Sequence, residues 1–473
     1  MKISHILNRL KKLLLSGISL PVKLKHLLKD MRSDIHNIRQ AENLIASQIE
    51  ALQNDVYNVK QVANLIAMRQ RPGRNIKVVF LVHNIGAWDS IADVLAAMQQ
   101  ADDFIPIVAS INRKFPGDET FGMEPLTHAR LDEMGIPHIR LGMENSFEAL
   151  DILKTIAPDI IFRQSQWDQD FPPALRTAEL RFTRLCYVSY EILSMVETPH
   201  SGMVPGTDTI FHRSCWLIFC AVESVVTRFS TTAVRQSSNV ICTGHPKVER
   251  LIRKGERPYW PIVHPDKNET HQKKGTTKIL WSAHHSIGND WIRFGLFPTI
   301  YRDMLAWAES SPDVEIVFSP HPGCLKATVS RGYLSQQELD DFLGKWNALP
   351  NTAVLREGDY AQVMAASDCL ICDGLSFLME YQLFNKPVIF LERKDHVAFT
   401  DDGQRIIEGT HRVSTLDEAK ALAARFKDGY PDPLYKKQID NAQWLKAYGN
   451  AAQNILAAIR NGMKECNQYS IRT

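Results

Sequence analysis

The sequence has no apolar run of about 18 residues, so no transmembrane helix is expected. Its most apolar stretch, CWLIFCAV (215–222), is too short to span a bilayer. The amino terminus is basic and apolar, but no compact apolar core followed by a small-residue cleavage site is present, and a signal peptide is not expected. Charge of one sign is also missing. A net charge of +2 gives no electrostatic footprint for nucleic acid, which is not expected as a partner. The eight cysteines show no framework spacing, which points to reduced thiols and a cytoplasmic compartment. Cys369 and Cys372 form a CxxC, but inside an apolar run that reads as a strand. Side chains three apart on a strand point to opposite faces, so the pair cannot easily share a metal. No glycine-rich phosphate loop occurs beyond Cys-Asp-Gly at 372–374.

What is present begins with two helical patterns. In residues 1–33, Ile3, Ile6, Leu7, Leu10, Leu13, Leu14 and Ile18 recur at helical spacing among many Lys and Arg. A basic amphipathic helix of this kind suits an anionic membrane surface; packing on the protein itself or on a partner subunit is the other reading. In residues 34–70 a heptad runs through Ile35, Ile49, Val56 and Ala63, broken by Glu42, and through Ile38, Ile45, Leu52, Val59 and Ile66. It predicts a coiled coil and a homo-oligomer, against the alternative of a long helix folded onto the body.

After RPGRN (71–75) the pattern changes to alternating strands and helices. KVVFLV, FIPIVAS, IPHIRLG, DIIFRQ, LCYVSYE and NVICTG read as strands of one domain, 71–262. A polar, Pro- and Lys-rich stretch, 253–277, reads as a linker. KILWSA, EIVFSP, TAVLRE, CLICDG and PVIFLE then read as strands of a second domain, 263–435. A helical tail, 436–473, is expected to pack back. Near-continuous apolar strands alternating with helices predict parallel sheets covered on both faces. The fold class is therefore α/β, with two doubly wound Rossmann-like domains facing a cleft behind a helical N-terminal region.

Ligands of such sheets bind at the carboxyl ends of strands. That rule selects the loops HNIGAWDS, SAHHSIGND, SPHPG and CDGLSF. His321 lies between Pro320 and Pro322, which restrict its backbone and pre-position the ring. His284 and His285 project from a neighbouring strand end. Together they could meet a diphosphate as cations, or serve as acid and base. They lack a carboxylate or thiol at ligand spacing, so no metal is expected there. Asp373, Gly374 and Ser376 open a helix, where a phosphate could approach the backbone; Ser376 as a plain N-cap is the simpler reading. Asp89 is a candidate acceptor-side base, with His83 as the other candidate; Asp89 as an N-cap is the simpler reading.

SPHPG followed by GDYAQVMAASDCLICDGLSFLMEYQLFNKPVIFLERKD resembles the C-terminal half of CDP-glycerol glycerophosphotransferases, enzymes that build teichoic-acid-like and capsular polymers. His321, Asp359, Tyr360, Asp368, Asp373, Ser376, Glu380, Tyr381, Lys386, Pro387 and Asp395 occupy the matching places, over residues 315–400. Four departures stand out. Leu375 replaces the first of two serines, Glu380 replaces an aspartate, Ser319 and Pro320 stand where the family has an arginine before the His-Pro, and the N-terminal turn that bears a histidine in the family aligns with YVSYEIL (187–193), which has none.

The resemblance implies the GT-B fold and a cofactor-free, metal-independent transfer. Glycerol phosphate, or a related phosphoalcohol, would pass from a CDP-activated donor to a hydroxyl of a surface polysaccharide or its lipid-linked precursor. Asp373, Gly374, Ser376, Glu380 and Asp395 would bind the donor. A GT-B glycosyltransferase using a nucleotide sugar and a non-catalytic scaffold are the alternatives. The expected location is the inner face of the cell membrane, held peripherally.

Overall fold

The computed structural model describes residues 25, 29–42, 45, 49, 75–115, 118–197, 207–263, 276–290, 292–355, 360–427 and 430–470, the last five without side chains. It divides into an N-terminal unit, 1–67, and a main unit, 68–473. In the N-terminal unit residues 29–42 are helical. Ile35, Ile45 and Ile49 of the heptad series are each about half exposed. The rest of the basic helix and most of the heptad lie outside the described residues, as does Asp359.

The main unit is built on two sheets. The first contains β1 (Ile76–Val82), β2 (Phe104–Ile111), β3 (His138–Leu141), β4 (Ile160–Arg163), β5 (Arg184–Val188), β6 (Cys215–Cys220) and β7 (Val240–Cys242). The second contains β8 (Thr277–Ala283), β9 (Val314–Pro320), β10 (Thr352–Val354), β11 (Cys369–Cys372), β12 (Val388–Leu391) and β13 (His411–Val413). Their orders are β3-β2-β1-β4-β5-β6-β7 and β10-β9-β8-β11-β12-β13, with every pairing parallel. Both sheets therefore reverse direction beside their first strand. The crevices between β1 and β4 and between β8 and β11 are the switch points where such sheets take ligands.

Helices on both faces explain the unbroken apolar strands. Along β11, Leu370 and Cys372 face one core cluster while Cys369 and Ile371 face the other, so the CxxC thiols point to opposite sides. Two strands, β6 and β13, had no counterpart in the reading of the sequence. The first is CWLIFC, whose apolarity comes from its place inside the sheet and not from contact with lipid.

The stretch 256–263 is only partly a linker, because Tyr259 N–H donates to the Gln362 carbonyl and Trp260 Nε1–H to Glu315. The tail joins the lobes. Helix Tyr435–Leu445 buries Ala442 and Leu445 against the second lobe. Helix Ala451–Ser470 buries Ile455, Leu456 and Ile459 against the first, where Arg460 pairs with Asp103 at 2.7 Å. A second junction lies at Ser194–Val196, where Thr400 N–H donates to the Met195 carbonyl. A Cβ at Gly403 would stand 1.9 Å from that carbonyl oxygen, so only glycine permits this approach.

Candidate functional site

The three histidines of the second lobe meet. His284 and His285 leave the end of β8 and His321 the end of β9, and the backbone N–H of His321 donates to Ala283. The ring centroids of His285 lie 4.3 Å from His284 and 4.2 Å from His321, and His284 and His321 are 5.6 Å apart. Burial, then the neighbouring imidazoles, push His284 well below the ordinary histidine range. His285 is lowered to about 4 by burial, with Arg331 opposing Asp290. Burial, then the charges of His285 and Arg113, lower His321, although the residue as a whole is exposed. Burial thus favours the neutral form of His284 and His285, and weakens their reading as cations that meet a diphosphate.

It can donate hydrogen bonds. His321 Nδ1 accepts from Gly323 N–H at 3.1 Å, which leaves the proton on Nε2. His284 Nδ1 accepts from Ser286 N–H and contacts Ser286 Oγ at 2.7 Å, with the same consequence. The frame thus fixes both tautomers and presents neutral N–H donors.

The loop after β11 supports this cluster. Asp373 is buried, and its two oxygens accept from the backbone N–H groups of His284 and Leu296, each at 2.6 Å. Burial nevertheless raises its carboxyl to about 7. Its protein bonds clamp the histidine loop, leaving it in a positioning place. Gly374 packs against the His284 ring, where a Cβ would lie 3.4 Å from Cδ2. Ser376 is the first residue of a short helix, Ser376–Glu380, whose N-cap is Leu375, so the capping role considered for Ser376 falls away.

Glu380 is fully buried and pairs with Lys247 Nζ at 2.5 Å, a link from the second lobe to helix Pro246–Gly255 of the first. Asp395 is exposed and held bidentately by Arg393 at 2.9 and 2.7 Å.

On the first lobe, Asp89 is not a cap. It sits in a 3-10 turn, Ile85–Ser90, and its oxygens are taken by Arg250 (2.7 Å) and Lys254 (2.8 Å). Burial would raise its carboxyl, but the two cations outweigh burial and hold it below the ordinary range. A carboxylate so occupied is a poor proton acceptor. His83, at the end of β1, is buried against Phe171 and depressed to about 3 by burial, then by Arg163 and Arg113.

The same strand ends bring together groups that the sequence reading missed. Arg163, fully buried, spans Asp168 and Thr177 (2.7 and 3.0 Å). Asp170 is raised to about 6 by burial, against a hydrogen bond from Ser165 and the charges of Arg163 and Arg113. Arg113 lies 3.8 Å over the Phe115 ring, which packs edge-on against His83, and its charge lowers both His83 and His321 across the cleft between the lobes. Lys326 bridges the same cleft to Asp118 at 2.5 Å.

Glu191 follows β5, in the YVSYEIL turn. It lines a cavity of about 160 Å3 with Gln166, Tyr187, Ile192, His212 and Phe229. Burial raises its carboxyl to about 7, against Lys247 and Arg228. The turn is fixed by its neighbours. His245 Nε2–H donates to the Ser189 carbonyl at 2.9 Å, and Tyr190 N–H donates to Gln164. The sequence signal for Glu191 is the resemblance of this turn's place to that of a histidine-bearing turn in glycerophosphotransferases, with the glutamate as the ionisable residue present here.

No family model matches this sequence, and no curated protein matches it. Solved structures do. UDP-GlcNAc 2-epimerase from Neisseria meningitidis, bound to UDP-GlcNAc, is similar with a TM-score of 0.54 at 14% identity, over 82% of this chain and 100% of its own. The wall teichoic acid polymerase TagF, in a variant form soaked with CDPG, gives 0.53 at 14% identity, over 89% of this chain and 98% of its own. UDP-N-acetylglucosamine 2-epimerase from Rickettsia bellii gives 0.51 at 14%, over 85% and 99%. At such identities the likeness is one of fold, and the main unit of this chain has the two-lobed, GT-B-like α/β architecture that these enzymes share.

Proposed function

We propose that the protein is a transferase that moves glycerol phosphate, or a related phosphoalcohol, from a CDP-activated donor to a hydroxyl of a surface polysaccharide or its lipid-linked precursor. The observation that carries this reading is the packed histidine cluster at the carboxyl ends of β8 and β9, beside the β8–β11 switch point. The nucleotide diphosphate would lie against Gly374 and Ser376. His321 Nε2–H, with His284 beside it, would donate to phosphate oxygens as charge develops on the departing CMP. Arg113 would supply positive charge from the facing lobe. The acceptor hydroxyl would occupy the cavity beside Glu191. Glu191 replaces Asp89 and His83 as the acceptor-side base, because a carboxylate raised to about 7 by burial takes a proton at neutral pH. The acceptor oxygen then bonds to the donor's glycerol-bearing phosphorus, the P–O bond to CMP breaks, and the proton rests on Glu191. Glu380 and Asp395 have protein partners, so in this reading they shape the donor lobe.

A nucleotide-sugar enzyme is the second reading, favoured by the UDP-GlcNAc bound in one of the similar folds. The test is thermal stabilisation of the purified protein by CDP-glycerol, CDP-ribitol, CMP and a panel of UDP- and GDP-sugars. Stabilisation by the CDP-alcohols or CMP supports phosphoalcohol transfer, and stabilisation by a UDP- or GDP-sugar alone moves the protein to the second reading. Peripheral attachment at the inner membrane face and oligomerisation through the heptad belong to the same proposal, supported by the half-exposed Ile35, Ile45 and Ile49. Deletion of residues 1–32 should release the protein from anionic vesicles, and unchanged binding would remove that part.

A further inference from the structure

A second cluster of ligating side chains lies away from the cleft, at the outer edge of the first sheet. His128 and Asp132 stand one turn apart on helix Glu124–Glu133, and His138 opens the edge strand β3. Among the described residues, these three alone bring one ligand atom each within 4.8 Å of one another.

The hydrogen bonds fix the proton positions. His138 Nδ1 lies 2.8 Å from the Ile136 carbonyl, a contact only a donor can make, so Nδ1 carries the proton. The lone pair is then on Nε2, and it faces His128 Nδ1 at 2.8 Å. His128 Nε2 lies 3.6 Å from the Asp132 carboxylate. His128 satisfies both neighbours either as an imidazolium donating from its two nitrogens or by turning one lone pair, with His138 Nε2 and an Asp132 oxygen, toward a bound cation, since one ligand atom of each side chain lies within 4.8 Å of the others.

We propose that His128, Asp132 and His138 bind a divalent transition metal, with Zn2+ the best fit. Two imidazoles and one carboxylate suit zinc and its neighbours in the first transition row and discriminate against Mg2+ and Ca2+, which favour all-oxygen sites. The backbone carbonyl bound to His138 Nδ1 is the outer partner that ligating histidines characteristically have, since it orients the ring and raises the basicity of the other nitrogen. Metal–nitrogen bonds of ~2.0–2.1 Å require the two nitrogens to separate to roughly 3.3 Å, a shift of about half an ångström. The side chain of Asp132 is 63% exposed and that of His128 29%, so the ion has an entry path and water can fill the fourth position. The bound ion would pin the helix to the edge strand. Two strands, β2 and β1, separate it from the β1–β4 switch point, so its role is structural or regulatory and independent of the transfer chemistry.

The experiment uses the full chain, stripped with EDTA and titrated with Zn2+ by calorimetry and with Co2+ by visible absorption. The expected result is one high-affinity ion per chain and tetrahedral Co2+ bands. His128→Gln, His138→Gln and Asp132→Asn each remove a ligand and should each weaken binding by about 100-fold or more, at least the loss that follows removal of an outer-shell partner. His321→Ala should bind as wild type does. Absence of binding to wild type overturns the proposal. So does wild-type affinity in both histidine variants, or loss of binding in His321→Ala, which would place the ion at the cleft histidines.

Discussion

The two sheets of the main unit have the same strand order about their switch points, yet their mouths are opposite in chemistry. The second lobe offers neutral imidazoles whose tautomers are set by backbone N–H groups and by Ser286. The first offers the buried guanidinium of Arg163 and carboxylates raised toward neutrality, Asp170 and Glu191. A shared scaffold therefore dictates where a site lies, and the loop residues dictate what it does. One mouth is built to donate hydrogen bonds without carrying charge, and the other to hold charge and accept a proton.

The contrast can be broken from either side. The largest effect is expected from Glu191→Gln, which removes the base. Turnover should fall by ~10²–10⁴ with donor-induced stabilisation unchanged, and the limb of the rate profile that rises through about pH 7 should vanish. Wild-type turnover would remove Glu191 from the mechanism.

Next is the buried link between the lobes. Lys247→Met strands the Glu380 carboxylate and should cost about 3–5 kcal/mol in urea unfolding, whereas Lys247→Met with Glu380→Leu should recover much of it. A small loss in the single variant would show that the pair is not a junction.

On the donor side, His321→Ala should lower turnover by ~10²–10³ while the protein remains folded, by circular dichroism and melting temperature. Parallel loss of stability and activity would instead make His321 a packing residue.

The smallest effect sharpens the comparison through pH. Histidines held neutral by burial, His83, His212, His245, His284 and His285, lose stability as pH falls below 6.5, because only the unfolded chain then takes up their protons. The raised carboxylates run the other way. Asp170, Glu191 and Asp373 add stability below their unfolded values, and that contribution is lost as pH rises through about 6 to 7. Histidines outnumber carboxylates, so unfolding near pH 5.5 should take up protons and stability should fall by roughly 1–3 kcal/mol per pH unit toward acid. Calorimetric unfolding in buffers of differing ionisation enthalpy measures the uptake directly, and net release would contradict the assignment.

Much of this was legible in the chain. The alternation of apolar strands with amphipathic helices located all the strands except β6 and β13. The rule of strand carboxyl ends then picked out His284, His285 and His321. Less visible was β6, an apolar run weighed only as a membrane segment and found too short to span. Hidden altogether were pairings between residues far apart in the chain. Nothing near Asp89 announces Arg250 and Lys254, and nothing near Glu380 announces Lys247.

The sequence by itself determined the two-domain α/β plan and the strand ends where chemistry gathers, because periodicity and burial are local properties of the chain. Only the tertiary structure decided which of those groups are charged and which have room to react. Protonation follows from desolvation and from distant partners. Burial discharged the histidines, two cations occupied Asp89, and a cavity left Glu191 able to take a proton.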